Sequence, residues 1–228
     1  MKKLSALGAA LLLGACASTP PPADWQSQSF AAVQSYTSAY LEGNLQVAEV
    51  EFARAKAEVA RTGRPNLMAR LELLRCATQV ASLVLHPCTA YQALAQDAAA
   101  PEQAYASFIA GRWSTLEAAQ LPVHYRALVS QSQALAKQEA NATSAPSAGK
   151  LNQIEDPLAR LVAAGALMQR EPMHSADIDL AVETASKQGW RRPLLAWLGV
   201  QLKRNQTIGN AEAAAGIQRR IDLVLQAR

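Results

Sequence analysis

The side chains most able to do chemistry in this sequence are its three cysteines and three histidines. A thiol nucleophile needs a neighbouring base, and His86 lies two residues before Cys88. Side chains two positions apart do not face each other on a helix, and no third group that would orient the histidine is identifiable. His86, His124 and His174 are far apart and lack partners at metal-ligand spacing. We therefore predict no catalytic residue, no metal site and no cofactor.

The first fifteen residues have the layout of a signal peptide. Lys2 and Lys3 give a basic start, and residues 4–15 carry no charge and consist mostly of Leu, Ala and Gly. This apolar stretch is shorter than the roughly 20 residues that a membrane-spanning helix needs. It therefore predicts an export signal and not a membrane anchor.

The run Leu13-Gly14-Ala15-Cys16 resembles the lipobox of bacterial lipoproteins. The resemblance implies cleavage between Ala15 and Cys16, with diacylglycerol on the Cys16 thiol as the membrane anchor. Each buried methylene contributes about 0.8 kcal/mol, so two or three acyl chains hold where one is marginal. Because Ala17 is not the Asp that favours inner-membrane retention, the resemblance implies the outer membrane, facing the periplasm. The alternative is an ordinary secretory signal whose cysteine falls at the cut site.

Lipid on Cys16 would leave Cys76 and Cys88 as a pair in an oxidising compartment, which predicts a disulfide. The alternative is two unpaired, partly buried thiols. If the helix that carries Cys76 continued to the end of its apolar run, this residue would lie about 13 Å below the helix end. A disulfide needs Cα atoms within about 7 Å. The bridge therefore predicts that the helix stops near Ala81 and that residues 83–87 run back along it.

The composition of the exported chain favours helices. Without Lys2 and Lys3 it has 20 basic against 18 acidic side chains, so its net charge is small. Half of the whole chain is apolar but only 5% is aromatic, so Ala and Leu must build most of the core. Close-packed helices use these residues better than sheets do. We expect an all-α fold.

Composition divides the exported chain into four parts. Residues 16–23 form a proline-rich tether of roughly 20 Å, and residues 24–139 a helical domain in which Asp24 caps the first helix. Residues 140–152 are rich in turn-forming residues and predict a linker, and residues 153–228 form a C-terminal helical subdomain. After a first helix to residue 41 and a second over 45–61, helices are predicted at 66–84, 88–96, 101–112, 122–139, 154–170, 176–188, 193–204 and 210–226.

Apolar spacing predicts which helix faces are buried. In the first helix the predicted buried side is Phe30, Val33, Thr37, Tyr40 and Leu41, and in the second it is Leu45, Ala48, Phe52, Ala55 and Val59. The helix at 66–84 has only one narrow polar strip, which consists of Glu72, Arg75, Gln79 and Ser82. A helix with so little polar surface is covered on most sides, so we expect it to be central to the first half.

The turn at Gly43, followed by Ala48, Phe52 and Ala55, resembles the second helix of a tetratricopeptide repeat. The resemblance implies antiparallel helical hairpins in which small residues allow close approach. The preceding helix departs from the family pattern, since Ala32, Ser35 and Tyr36 replace its aromatic, leucine and small residue. A second glycine turn at Gly209 starts no regular 34-residue period. Two readings stay open: irregular tetratricopeptide-like repeats, or generic hairpins in a helical bundle.

The C-terminal region is basic. Its candidate contacts to an anionic partner are Arg191, Arg192, Lys203, Arg204, Arg219 and Arg220. Such a partner would be a lipid headgroup, lipopolysaccharide or an acidic protein surface. The alternative is that these cations face the acidic stretch 154–186 or are simply solvated.

These observations leave three hypotheses for function. The first is a lipid-anchored helical scaffold for an envelope protein, and the second is a binder of a small hydrophobic or anionic ligand between the two helical halves. The third is a cell-wall hydrolase, but the sequence lacks the Glu-Ser pair of helical muramidases and the Gly-x-Ser-x-Gly elbow. Nucleic acid is excluded as a partner by the predicted compartment, and the sequence leaves the oligomeric state open.

Overall fold

The computed structural model describes residues 23–139 and 151–226. These residues form ten α-helices, three short 3-10 helices and no strand, which confirms the all-α prediction. The lipobox with Ala15 and Cys16, the tether up to residue 22 and residues 140–150 of the linker predicted over 140–152 lie outside the described residues, whereas Leu151 belongs to a short 3-10 helix and is buried in the core. The helices are α1 Asp24–Glu42, α2 Leu45–Ala60, α3 Pro65–Ala81, α4 Thr89–Gln92, α5 Ala100–Ile109, α6 Val123–Glu139, α7 Pro157–Met168, α8 Ser175–Lys187, α9 Arg191–Thr207 and α10 Ala211–Gln226.

Helices α1 and α2 form the first antiparallel hairpin. Gly43 ends α1 in the left-handed region at φ 96°, and its N–H donates to the carbonyl oxygens of Ala39 and Tyr40. The Asn44 side chain then accepts a hydrogen bond from the Val47 N–H and caps α2. A glycine that can adopt positive φ and an asparagine that can cap a helix therefore define this turn.

The buried faces of this hairpin differ in part from the prediction. Ala48, Phe52, Ala55 and Val59 are buried as predicted, but Leu45 is 43% exposed. In α1 the prediction for Phe30 is wrong, because this side chain is 63% exposed. Helix α2 packs against another face of α1, where the ring of Tyr36 lies 5.0 Å from that of Phe52. That face buries Ala32, Tyr36, Ala39, Tyr40 and Leu41.

Several helix ends also differ from the prediction, among them the end of α5 at Ile109 and both ends of α7, which spans Pro157–Met168. Asp24 is the first residue of α1 and not its cap, and Ala23 occupies the cap position without a side-chain hydrogen bond. The helix predicted at 88–96 is only α4, because the chain tightens where the Leu94 N–H donates to the Tyr91 carbonyl oxygen. Helix α9 begins at Arg191, before the predicted start at Pro193.

Helix α3 is central, as its narrow polar strip predicted. It contacts α1, α2, α4, α5 and α7. The strip itself is not a wet face, because Glu72 and Ser82 are buried and Arg75 and Gln79 are half-buried. The Glu72 carboxylate forms an ion pair of 2.7 Å with Lys56 of α2. Two members of the strip, Glu72 and Arg75, thus meet charged partners on α2.

The helices on both sides of residues 140–150 share one hydrophobic core. Buried residues of α3, α5 and α6 pack with those of α7, α8 and α9 in a single cluster. Trp197 of α9 is fully buried, and its indole Nε1 donates a hydrogen bond of 3.1 Å to the Ala81 carbonyl oxygen at the end of α3. The C-terminal helices are therefore built onto the central helix of the first half.

A second hairpin, α9–α10, repeats the turn chemistry of the first. Gly209 has φ 74°, and the Asn210 side chain accepts a hydrogen bond from the Ala213 N–H. Ala214 and Ile217 of α10 are buried at the interface with α9. The two Gly-Asn turns thus share one local mechanism, although no aromatic residue of α10 matches Phe52.

The predicted disulfide is present between Cys76 and Cys88, whose Cα atoms lie 5.9 Å apart. As the bridge required, α3 ends at Ala81. The chain reverses at Leu83, which has φ 57°, and the N–H of Val84 donates to the carbonyl oxygen of Gln79. This is a Schellman-type helix end with leucine at the position that glycine usually occupies.

We expect loss of this disulfide to destabilise the fold. Replacing Cys88 with serine should lower the free energy of unfolding by about 3 kcal/mol, because the bridge closes a short loop in the unfolded chain. Denaturant unfolding of the two proteins under non-reducing conditions measures the difference. Equal stability of the two proteins would contradict the bridge. So would two free thiols in the denatured Cys16→Ser protein, in which Cys76 and Cys88 are the remaining cysteines.

Candidate functional site

An open apolar groove of about 610 Å³ lies between α1, the end of α2 and the start of α3. The exposed ring of Phe30 stands at this groove, together with Trp25 and Val33 of the same helix. Polar side chains of α1 also line it, namely Gln26, Ser27 and Ser29, and its other walls are Val59, Leu67, Arg70, Leu71 and Leu74. We call this surface the outer groove.

A second cavity of about 410 Å³ lies on the other side of Arg70 and Leu74, which line both spaces. We call it the inner cavity. It forms where α3, α5, the start of α6 and the start of α7 converge, so its walls come from both sides of residues 140–150. Apolar side chains dominate, and the polar members are Arg70, Thr78, Glu102, Tyr105, Tyr125 and Asp156.

Two charged contacts fix the polar groups of the inner cavity. The Arg70 guanidinium lies 3.2 Å from the Glu102 carboxylate and joins α3 to α5. Asp156 caps α7, and one of its oxygens accepts a hydrogen bond of 2.6 Å from the Ala159 N–H. The Thr78 hydroxyl donates to the Leu74 carbonyl oxygen in its own helix. The charged residues of the lining are Arg70, Glu102 and Asp156. Arg70 and Glu102 pair with each other, and Asp156 has no ion pair to an Arg, Lys or His of the described residues.

Aromatic rings form one wall of the inner cavity. The ring of Tyr125 lies 6.0 Å from that of Tyr105 and 4.3 Å from that of Phe108. Burial raises the pKa of Tyr105 to about 12, and burial also raises the pKa of Tyr125 well above its ordinary value. Burial lowers the pKa of nearby His124, although the charge of Asp156 opposes this effect. At neutral pH the tyrosines and His124 are therefore uncharged.

A separate cluster of charges and rings holds the first hairpin in place. Arg75 donates to both carboxylate oxygens of Glu49, at 2.7 and 2.8 Å, and its guanidinium lies 4.6 Å from the centre of the Phe52 ring. Arg192 of α9 lies 4.5 Å from the centre of the Tyr40 ring. Through these contacts α2 and α1 are fixed to α3 and α9.

The structure separates the six basic residues predicted to contact an anionic partner. The side chain of Arg191 donates to the carbonyl oxygens of Val224 and Leu225 at the end of α10, and Arg192 lies on Tyr40. Arg204 donates to the carbonyl oxygen of Met173. The side chains of Lys203, Arg219 and Arg220 are exposed. The six therefore form no single cationic site.

The described residues offer neither a histidine-based metal site nor a membrane span. His86 lines a third cavity of about 290 Å³ beside the disulfide. In the described residues, no group of three His, Cys, Asp or Glu side chains could hold a metal ion. No helix within the described ranges is long and apolar enough to cross a membrane.

Sequence reasoning missed the residues of the outer groove and the inner cavity. Apolar spacing places Phe30 on the buried side of α1, and no motif marks Arg70, Glu102, Tyr105 or Asp156. A weak signal did exist, because Phe30 and Tyr36 cannot both face one neighbouring helix when they lie six residues apart.

Comparison of the chain with models of known protein families, with curated proteins and with solved structures gave no match.

Proposed function

We propose that this protein is a lipid-anchored helical scaffold that binds an amphipathic segment of an envelope protein in the outer groove. The observation that carries the proposal is the exposed Phe30 ring at an open groove whose surface is mostly apolar. A large apolar side chain at a concave surface supplies the kind of contact in which amphipathic helices dock.

Charge at the edge of the groove defines the partner further. Arg70 lines the groove and is 72% exposed at its side chain, while Arg64 is exposed at the start of α3. Arg61 and Arg64 line an adjoining polar depression together with Asp24, Thr62 and Trp25. Because Glu102 pairs with Arg70 and Glu58 with Arg61, we expect the bound segment to present large apolar side chains to the groove, with an acidic residue only near Arg64.

The proposed anchor explains why this surface would meet an envelope partner. Asp24 starts α1 only eight residues after Cys16, and Trp25 and Phe30 of the same helix belong to the groove. Lipid on Cys16 would thus hold the groove near the periplasmic surface of the outer membrane. The partner in this proposal is a protein that reaches the same surface, and no catalytic step is part of it.

The anchor is tested by Cys16→Ser. We expect this change to abolish incorporation of a labelled fatty acid and to remove the protein from the outer-membrane fraction, because the thiol is the proposed site of lipid attachment. Cys88→Ser is the matched control and should leave labelling unchanged. Continued labelling of the Cys16→Ser protein would contradict the anchor.

The groove is tested by Phe30→Glu, with Val50→Glu as the matched control. Both side chains are exposed to a similar degree, 63% and 66%, but only Phe30 lines the groove. Phe30→Glu should lower the amount of partner that is co-isolated after chemical crosslinking in cells by about tenfold. The reason is that a charge replaces an apolar side chain that the bound partner would bury. Val50→Glu should leave it unchanged. Equal effects of the two changes would contradict the proposed site.

A further inference from the structure

We propose that the inner cavity is a binding site for a small ligand with an apolar body and a cationic head, such as a protonated alkylamine. This inference concerns a site apart from the outer groove and does not depend on the proposed scaffold function. The inner cavity has a volume of about 410 Å³, within the range of about 300–1,000 Å³ that is typical of small-molecule sites.

The apolar body would pack against aliphatic side chains of two helices. Leu73 and Ala77 of α3 face Val162 and Ala159 of α7 across the cavity lining, and Leu158 adds to the same wall. All five are apolar, so a ligand part that reaches them must also be apolar. The room left between these helices is sufficient for a ring or a short alkyl chain, not for a folded peptide.

The charges of the lining select the sign of the head group. Arg70 and Glu102 neutralise each other in their ion pair, which leaves the carboxylate of Asp156, exposed at the mouth of the cavity where it caps α7, as the net charge of the lining. The nearest further cation on α7 is Arg160, whose guanidinium is bound to the Ile154 carbonyl oxygen and the Thr184 hydroxyl. An anionic head group would therefore meet net repulsion, and a cationic head group would meet net attraction.

The aromatic wall favours a cation in the same way. The rings of Tyr105 and Tyr125 line the cavity together with Asp156. The face of an aromatic ring attracts an ammonium group, and the effect is larger when the cation is partly removed from water. Two tyrosine rings, from α5 and α6, and the carboxylate that caps α7 thus line a single apolar cavity and together suit an ammonium group.

The test uses three probes of one shape and different charge: 4-phenylbutylamine, 4-phenylbutanol and 4-phenylbutyrate. Isothermal titration of the full chain carrying Cys16→Ser, which removes the lipid, measures their affinities. We expect the amine to bind at least tenfold more tightly than the carboxylate, with the alcohol between them. Equal or tighter binding of 4-phenylbutyrate, or no binding of any probe, would overturn the proposal.

Three variants locate the site. Asp156→Asn keeps a side chain that can cap α7 but removes the charge, so affinity for the amine should fall about fivefold. Glu155→Gln removes a neighbouring charge outside the cavity lining and should have no effect. Ala77→Leu fills the cavity and should abolish binding of all three probes. Circular dichroism of each variant verifies that it is folded, and amine binding that survives Ala77→Leu in a folded protein would overturn the assignment.

Discussion

Replacing Trp197 with alanine is expected to lower the free energy of unfolding by about 4 kcal/mol, since a fully buried tryptophan is among the largest side chains of the core. The substitution also removes the indole donor of the Ala81 carbonyl oxygen. Because Trp197 joins α9 to α3, both parts of the chain should lose stability together. Denaturant unfolding followed by helical circular dichroism and by tryptophan fluorescence measures this effect.

Trp197→Phe separates the two contributions. It keeps a large ring but leaves the Ala81 carbonyl oxygen without its indole donor, so we expect a smaller loss of about 2 kcal/mol. Two unfolding transitions, with only the C-terminal helices destabilised, would contradict the single shared core. So would a Trp197→Ala protein as stable as the wild type.

Gly165→Ala is the second change with a large expected effect. Gly165 lies where α7 crosses α3, and an added Cβ would collide with the Val80 carbonyl oxygen and approach the Val80 Cγ1 atom to 2.8 Å. The two helices would have to move apart, at a cost of about 3 kcal/mol in the free energy of unfolding. Thermal and denaturant unfolding of the variant measure this cost.

Gly199→Ala in α9 is the matched control. It is the same substitution in another helix interior, but an added Cβ meets no atom within 4 Å. We expect it to stabilise the protein by about 0.5–1 kcal/mol, because alanine loses less backbone entropy than glycine. Destabilisation of similar size in both variants would show that close approach at Gly165 is not the cause.

The features that the sequence predicted well are those set by local chemistry. The end of α3 at Ala81 followed from the distance that a Cys76–Cys88 bridge allows. The first hairpin turn followed from Gly43, whose positive φ few other residues adopt easily. In both cases the few residues that fix the structure are close together in the chain.

The faces of the helices were harder to predict, because they depend on which neighbour each helix meets. Phe30 and Tyr36 are both aromatic, and only the position of α2 decides that Tyr36 is buried and Phe30 exposed. In the same way, Glu72 belongs to a polar strip but is buried, since Lys56 of α2 supplies its partner. Apolar spacing identifies a helix, but it does not say which polar residues find charged partners.

The candidate sites could not be predicted for a related reason. The inner cavity is assembled from four helices that lie up to about 90 positions apart in the sequence, from Arg70 to Val162. Arg192 looked like a surface cation in the sequence, but α9 places its guanidinium on the Tyr40 ring. Such contacts arise from tertiary packing, and no short motif encodes them.

The central claim is that the outer groove binds a protein of the envelope, and site-specific photocrosslinking in cells tests it most directly. A photoreactive phenylalanine analogue is placed at position 30 in one protein and at position 50 in another, which has nearly the same exposure on α2. We predict a discrete protein adduct from position 30 that disappears when Leu67, at the groove wall, is replaced by glutamate, and no adduct from position 50. The same adduct from both positions, or none from position 30, would contradict the claim.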